Sequence, residues 1–550
     1  MTNKSRVTKI IDTKTTLNTM IVYKEYRYLT TKINDNMKKY FILALCAASL
    51  SMASCTKELD QKNPNQQTTD TYWLSADDAL KGINATYQTL IIDGGYMRST
   101  PILLDTRGDD IKSESPWDQM YNSGKFNMNA GNDAIYGWAF TGYYQGINRA
   151  NQVIDFTPSI TMDANLKNRI LGQAYFLRGL YFYHLVNMFG NVSLPTTTKQ
   201  LYFKQSTPEE GWAQVIADFK KASELLPTSY DNVTGADKGQ TGRATKGAAL
   251  GFLGKVYLFN KKYSEAEATF KSVMDLNIYD LMPNYADNFG IANENNKESL
   301  FEVQFSADAG GKDMNWGGEP SPTWGAVSGK AITYGARGFG WTDVQPTRYV
   351  YNEFLVEKTT AGKSDPRLDA TMFYNKPGMT IYGQDFATYY KNSVNDLNDL
   401  YCKKYSNDGI KANEFDWRSG INDRLLRYAD ILLMYAECLN ERGATAEAVT
   451  FVQRVRSRVG LPNLATVKPN MTQAQFREQL AHERLLEFCL ESHRFDDIRR
   501  WGWLENPTKL AELKSHDPEF NTYKAGREFY PIPQTEINTN PAGVKQNATY

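Results

Sequence analysis

The chain alternates between segments of clear helical periodicity and long stretches with almost none. Leu425, Ala429, Leu432, Leu433, Ala436 and Leu439 recur at helical spacing on one face. Ala249, Phe252, Leu253, Val256 and Tyr257 form a second stripe. Ala174, Leu177, Leu180, Tyr181, His184, Leu185 and Met188 form a third. Each stripe predicts an amphipathic helix that buries its apolar side against a neighbour. Between them lie insertions at about 91–145 and 300–420, weakly periodic and rich in Gly, Asn, Asp, Tyr and Trp. Alternating runs such as Phe301-Glu302-Val303-Gln304-Phe305 predict a few short strands there. Loops of this length are functional or disordered, and their aromatic content argues for order.

The second stripe continues into a helical hairpin. Leu253-Gly254, Tyr257, Ala266 and Phe270 fall at the spacings of the tetratricopeptide pattern. Small residues let paired helices approach, and aromatics fill the gap behind them. Ala436, Leu439, Ala448, Val452 and Pro462 read as a second copy, and Phe219, Ala222 and Pro227 as half of a third. Long unequal insertions separate the copies, which excludes a regular solenoid. The fold class read here is mainly α, an irregular helical scaffold with tetratricopeptide-like helix pairs. It carries a loop-rich ligand-binding subdomain with few short strands.

The amino-terminal region changes this picture by implying a location. Met37-Lys38-Lys39 is followed by roughly a dozen apolar or small residues ending in Met52-Ala53-Ser54-Cys55. That run is too short to span a bilayer of about 30 Å and reads as a secretory signal. Its end resembles the lipobox of bacterial lipoproteins, which implies acylation of Cys55 and cleavage just before it. We therefore expect translation to start at Met37, with 1–36 an upstream extension and 37–54 the signal peptide. Residues 55–70, polar and aperiodic, read as a flexible tether, and 71–550 as a single domain. Lys57-Glu58 looks like the short charged signal that sends some Bacteroidetes lipoproteins to the cell surface. No stretch after residue 55 approaches the roughly 20 apolar residues of a transmembrane helix.

Composition narrows the chemistry. Residues 1–54 hold 9 Lys/Arg and 3 Asp/Glu, so the chain's formal charge of zero leaves about −6 beyond them. A mildly acidic protein carries no electrostatic footprint for nucleic acid. Cys438 and Cys489 sit in apolar helical patterns and read as small buried thiols; with Cys402 they make no disulfide framework. His184, on an apolar face, reads as a hydrogen-bonded core histidine. His482 and His493 lack a third ligand at metal-site spacing. Asp496-Asp497 and Asp109-Asp110 are adjacent carboxylates, and neighbours on a helix or strand splay apart. Neither pair supplies the facing carboxyls, about 5–9.5 Å apart, of glycoside hydrolysis. Asp496-Asp497 lies among Arg494, Arg499 and Arg500 and reads as part of an ion-pair network. No zinc, phosphate-loop or nucleophile-elbow pattern is present, so no cofactor and no catalytic residue are expected.

The end of the chain carries a family resemblance. Glu483-Arg484-Leu485-Leu486-Glu487-Phe488, then Glu491-Ser492-His493-Arg494-Phe495-Asp496-Asp497-Ile498-Arg499-Arg500-Trp501-Gly502, resembles the late helix of the SusD/RagB family. Tyr530-Pro531-Ile532-Pro533-Gln534 through Pro541, then Gln546-Asn547, looks like its closing motif. Arg424–Glu437, Asp365-Pro366-Arg367-Leu368 and Ala244–Ala249 agree in order and spacing. The resemblance covers essentially Cys55–Tyr550. It implies an outer-membrane lipoprotein of Bacteroidetes, lipid-anchored and facing outward, that binds without cleaving. Its implied partner is a SusC-like TonB-dependent barrel, to which an oligosaccharide is delivered for import. Two alternatives stay open: a peptide cargo, or a structural lid whose ligand contacts belong to the barrel.

For the binding surface we expect aromatic loops. A flat indole or phenol ring packs on the C–H face of a sugar while polar neighbours bond its hydroxyl rim. Trp117 follows Arg107-Gly108-Asp109-Asp110, and Trp316, Trp324, Tyr334 and Trp341 form a second set in Gly-rich sequence. The expected glycan-binding residues are Trp117, Trp316, Trp324, Trp341, Tyr334, Arg107 and Asp109, with both insertions contributing to one site.

Overall fold

A computed structural model describes residues 72–200, 203–309 and 325–550, with parts of 24–40. The signal peptide's apolar run, Cys55, the tether, Trp316 and Trp324 lie outside the described residues. The chain divides into Met1–Tyr72 and a second compact unit, Trp73–Tyr550. In the first, the described residues are helical and, apart from the half-buried Tyr72, exposed.

The helices of the second unit that matter here are α1 (Ala76–Gln88), α2 (Ala134–Phe156), α3 (Ala164–Phe189), α4 (Pro208–Leu225), α5 (Lys246–Phe259), α6 (Tyr263–Met274), α7 (Tyr428–Glu441), α8 (Thr445–Arg458), α9 (Gln473–Phe488) and α10 (Arg494–Arg500). Their starts are written in the sequence. Ser75, Thr207 and Thr472 each close a capping box with the residue three positions on, satisfying amides that the first turn leaves unpaired. Successive helices pack against one another, α3 on α4, α5 on α6 and α7 on α8. In the α5–α6 hairpin a Cβ on Gly254 would stand 2.5 Å from the Phe270 ring. Glycine is what lets the two helices close over that ring, as the repeat pattern requires.

Four short strands matter here: β1 (Ile111–Ser113), β2 (Ser299–Val303), β3 (Val344–Pro346) and β4 (Asp423–Arg427). β2 pairs antiparallel with β4, so the ladder closes the neck of the 300–420 insertion. β1 pairs antiparallel with β3 and joins the first insertion to the second. One expectation shifts. The first insertion is largely helical, with turns at Ser99–Asp105 and Asp118–Gly124, and its last part is the start of α2. Its periodicity is masked because α2 is buried on most sides, including Tyr136, Phe140 and Tyr143.

A buried lattice of charge fastens the second half. Arg427 is 1% exposed and donates to Glu298, Glu487 and Glu491; Arg367 donates to Asp365, Glu483 and Glu487. Burial would raise the Glu487 carboxyl, but Arg458, Arg427 and Arg367 hold it down at about 2. Cys402, Cys438 and Cys489 are buried free thiols. His184 bonds Tyr96 at 2.6 Å and stacks on Tyr143; burial lowers its pKa to about 3 and keeps it neutral. The adjacent aspartates divide. Asp497 accepts from Arg484 and Arg500, while Asp496 accepts from Tyr183 and Asn187.

Candidate ligand-binding site

The β1–β3 ladder fixes where the two insertions meet. Ser113 faces Val344 in register, and the Glu114 N–H donates to the Asp343 carbonyl at 2.7 Å. Trp117 lies just beyond this end on one chain, and Trp341 just beyond it on the other. Each indole has an aromatic partner from further along the same insertion. Trp117 meets Trp138 of α2 with ring centroids 5.7 Å apart and tilted 43°. Trp341 meets Trp417 at 5.8 Å and 65°, an edge-to-face arrangement. Trp417 is 38% exposed, and the other three rings are half-buried.

Beneath the first pair lies Arg98, its guanidinium carbon 5.4 Å from the Trp117 ring and 5.9 Å from the Trp138 ring. Arg98 is buried and forks onto Asp93 at 2.9 and 2.6 Å, which fixes the cation under the indoles. Asp343 stands in the same neighbourhood. Burial raises its pKa, while Ser115 and Arg98 oppose the shift. Around the second pair the backbone is strained. Thr342 has φ +60° and Trp417 φ +59°, left-handed values that cost a β-branched or bulky residue about 1–3 kcal/mol. Thr342 Oγ1 donates to the Gly335 carbonyl, and the Trp417 N–H to that of Glu414, which holds both residues in place.

Three expected residues need correction. Arg107 is 1% exposed; it donates to the Ser123 and Glu528 carbonyls and its guanidinium lies over the Tyr530 ring. Asp109 is fully buried and accepts from Arg494 at 2.5 and 2.9 Å, with His516 at 3.0 Å. Burial alone would raise that carboxyl, yet Arg494 and His516 hold it at about 2. Tyr334 is buried with its hydroxyl on Asp105 at 2.8 Å. All three are spent inside the protein, because charged groups flanking a strand near the core are needed to satisfy one another. Trp117 and Trp341 remain at the surface end of the ladder. Trp316 and Trp324 lie outside the described residues. Sequence reasoning missed Trp138, Trp417 and Arg98 as members of the set. Periodicity does not reveal which distant rings pair.

Two sequence models cover most of the chain. Residues 297–550 match the one described as SusD family, and residues 57–258 the one described as starch-binding associating with outer membrane. SusD-like protein P2 of Formosa agariphila is 26% identical over 545 residues, covering 94% of this chain and 100% of that protein. A SusD superfamily protein from Bacteroides vulgatus shares the fold with TM-score 0.75 at 26% identity, covering 87% of this chain and 100% of that one. A laminarin-binding SusD-like protein does so with TM-score 0.67 at 26% identity, over 87% of this chain and 100% of its own. Among the described residues no helix is long and apolar enough to cross a membrane.

Proposed function

The chain belongs to the SusD family, a family of carbohydrate-binding proteins rather than enzymes, and from that premise we propose that it captures an oligosaccharide at the outer membrane. The observation that carries this reading is the pair of tryptophan pairs, Trp117–Trp138 and Trp341–Trp417, flanking one end of the β1–β3 ladder. Two tilted ring pairs offer separate platforms to successive sugar units. Rigid indoles set by packing and by strained backbone lose little entropy on binding. In this reading acyl chains on Cys55 hold the protein to the membrane, two or more chains binding stably at about 0.8 kcal/mol per buried methylene. The bound glycan then passes to a SusC-like TonB-dependent barrel.

Titrating a panel of neutral oligosaccharides and peptides against the full chain tests this. Binding of a glucan such as a laminarin or starch oligosaccharide, with no peptide retained, is the expected result. Retention of peptides alone would replace glycan by peptide cargo, and binding of neither would leave a structural lid.

A further inference from the structure

Away from the tryptophan pairs, two hollows of about 340 and 320 Å³ lie side by side between α1, the 228–245 segment and β2. Gly242, Arg243 and Glu302 line both. Gly242 has φ +89°, and a Cβ there would stand 2.5 Å from the Gln304 side chain. A residue without a side chain is therefore what fits at the junction. The 228–245 segment is pinned despite its exposure. Arg169 forks onto Asp237 at 2.7 and 2.8 Å, Tyr230 OH donates to the Ala244 carbonyl, and the Ala244 N–H donates to Tyr87 OH. The groove is pre-formed.

Arg243 stands where the hollows meet, and its surroundings differ from those of its neighbours. Nε donates to Gln240 Oε1 at 2.6 Å, Nη1 to Gln173 Oε1 at 2.8 Å and Nη2 to Asn84 Oδ1 at 2.7 Å. All three acceptors are neutral amides. The nearby Arg169 and Arg178 each fork onto an aspartate, whereas among the described residues no carboxylate pairs with Arg243. A guanidinium has five N–H donors, so three are used in orienting it and two are left. Its charge is uncancelled. Of the carboxylates in the lining, Glu302 is 2% exposed and turned onto Asn295 and Asn422, and Asp231 accepts from Ser229 Oγ. The remaining wall mixes hydroxyl and amide groups, including Thr241, Gln88 and Asn296, with Lys297 and the apolar residues Leu90, Ile91, Ile278 and Phe301, and Ser299 Oγ is buried there with no partner among the described residues.

We propose that this groove is a second saccharide site, selective for a sugar unit that carries a carboxylate. The planar fork of Arg243 takes the carboxylate, and the amides and hydroxyls on either side take the ring hydroxyls. The inference does not rest on the tryptophan reading, since no residue is shared between the two sites.

The test is calorimetric titration of the full chain with trigalacturonate and with neutral galactotriose. Asn84 is exposed and its Oδ1 already accepts from Arg243, so Asn84→Asp places a carboxylate in the same spot and cancels the charge. Wild type is expected to bind trigalacturonate more tightly than galactotriose. Asn84→Asp should lose about tenfold or more in trigalacturonate affinity with no fall in melting temperature. Arg243→Gln should lose the same preference, and the Trp117→Ala/Trp341→Ala double variant should keep it. No binding of trigalacturonate by wild type, or equal binding by a folded Asn84→Asp variant, would overturn the proposal.

Discussion

Arg107 sits over the ring of Tyr530, its guanidinium carbon 3.5 Å from the ring centroid. The contact joins residues more than four hundred positions apart and ties the root of the first insertion to the closing segment of the chain. Tyr530 in turn donates its hydroxyl to the Leu103 carbonyl at 2.8 Å. A buried cation over a ring contributes about 2 kcal/mol, and each of the two carbonyls that Arg107 serves adds about 1 kcal/mol. Arg107→Ala should therefore destabilise the protein by about 4 kcal/mol in urea unfolding. Glycan affinity of the folded fraction should change less than twofold. A large affinity loss at unchanged stability would return Arg107 to the binding surface.

Acid should unfold the protein through its buried carboxylates. Asp109 and Glu487 are both held near 2 in the folded state, below the roughly 4 of the unfolded chain. Groups depressed in this way contribute stability that is fully present above pH about 4 and is lost as pH falls toward 2. Chemical denaturation repeated from pH 5 down to pH 2.5 should show a steep loss over that window. Glu487→Gln should flatten it, at a cost of about 3–5 kcal/mol at neutral pH, because Arg367, Arg427 and Arg458 then lose a buried counter-charge.

A second carboxyl pair acts in the opposite sense. Burial pushes Asp517 up to about 6, and burial together with Asp517 pushes Glu519 up to about 7. Here the folded state binds more protons, so stability falls as pH rises from about 4 through 7. Asp517 Oδ1 accepts from the Glu519 N–H, and Oδ2 is buried without a partner. Asp517→Asn keeps the acceptor and removes the charge. It should stabilise the protein by about 1–2 kcal/mol at pH 8 and by little at pH 5, read from melting curves at the two values.

Gly254→Ala tests the repeat-like hairpin. The added Cβ would press on the Phe270 ring, and overpacking of this kind costs about 1–3 kcal/mol. Phe270→Leu in the same chain should recover part of the loss, a coupling that a double-mutant cycle measures directly.

The helical scaffold was legible because its spacing obeys local rules. Gly254, Ala266 and Phe270 carry the α5–α6 hairpin in their order alone, and Ser75, Thr207 and Thr472 announce helix starts. The strand near Phe301 was legible for the same reason, although it runs over Ser299–Val303. The site was only half legible. Trp117 and Trp341 stood out as aromatics in Gly-rich, weakly periodic sequence. Their partners Trp138 and Trp417 lie further along the same insertions, and tertiary pairing leaves no periodic trace. Arg107, Asp109 and Tyr334 misled for a related reason. A polar side chain near a platform and one buried against Tyr530, Arg494 or Asp105 look alike until the fold supplies the partner.

Single replacement of Trp117, Trp138, Trp341 and Trp417 by Ala, each titrated calorimetrically with the best-bound neutral oligosaccharide, is the most direct measurement. Interface tryptophans carry about 2 kcal/mol or more each, so at least one change in each ring pair should weaken binding about tenfold or more while the melting curve stays cooperative. Four folded variants that all bind as wild type does would contradict the account.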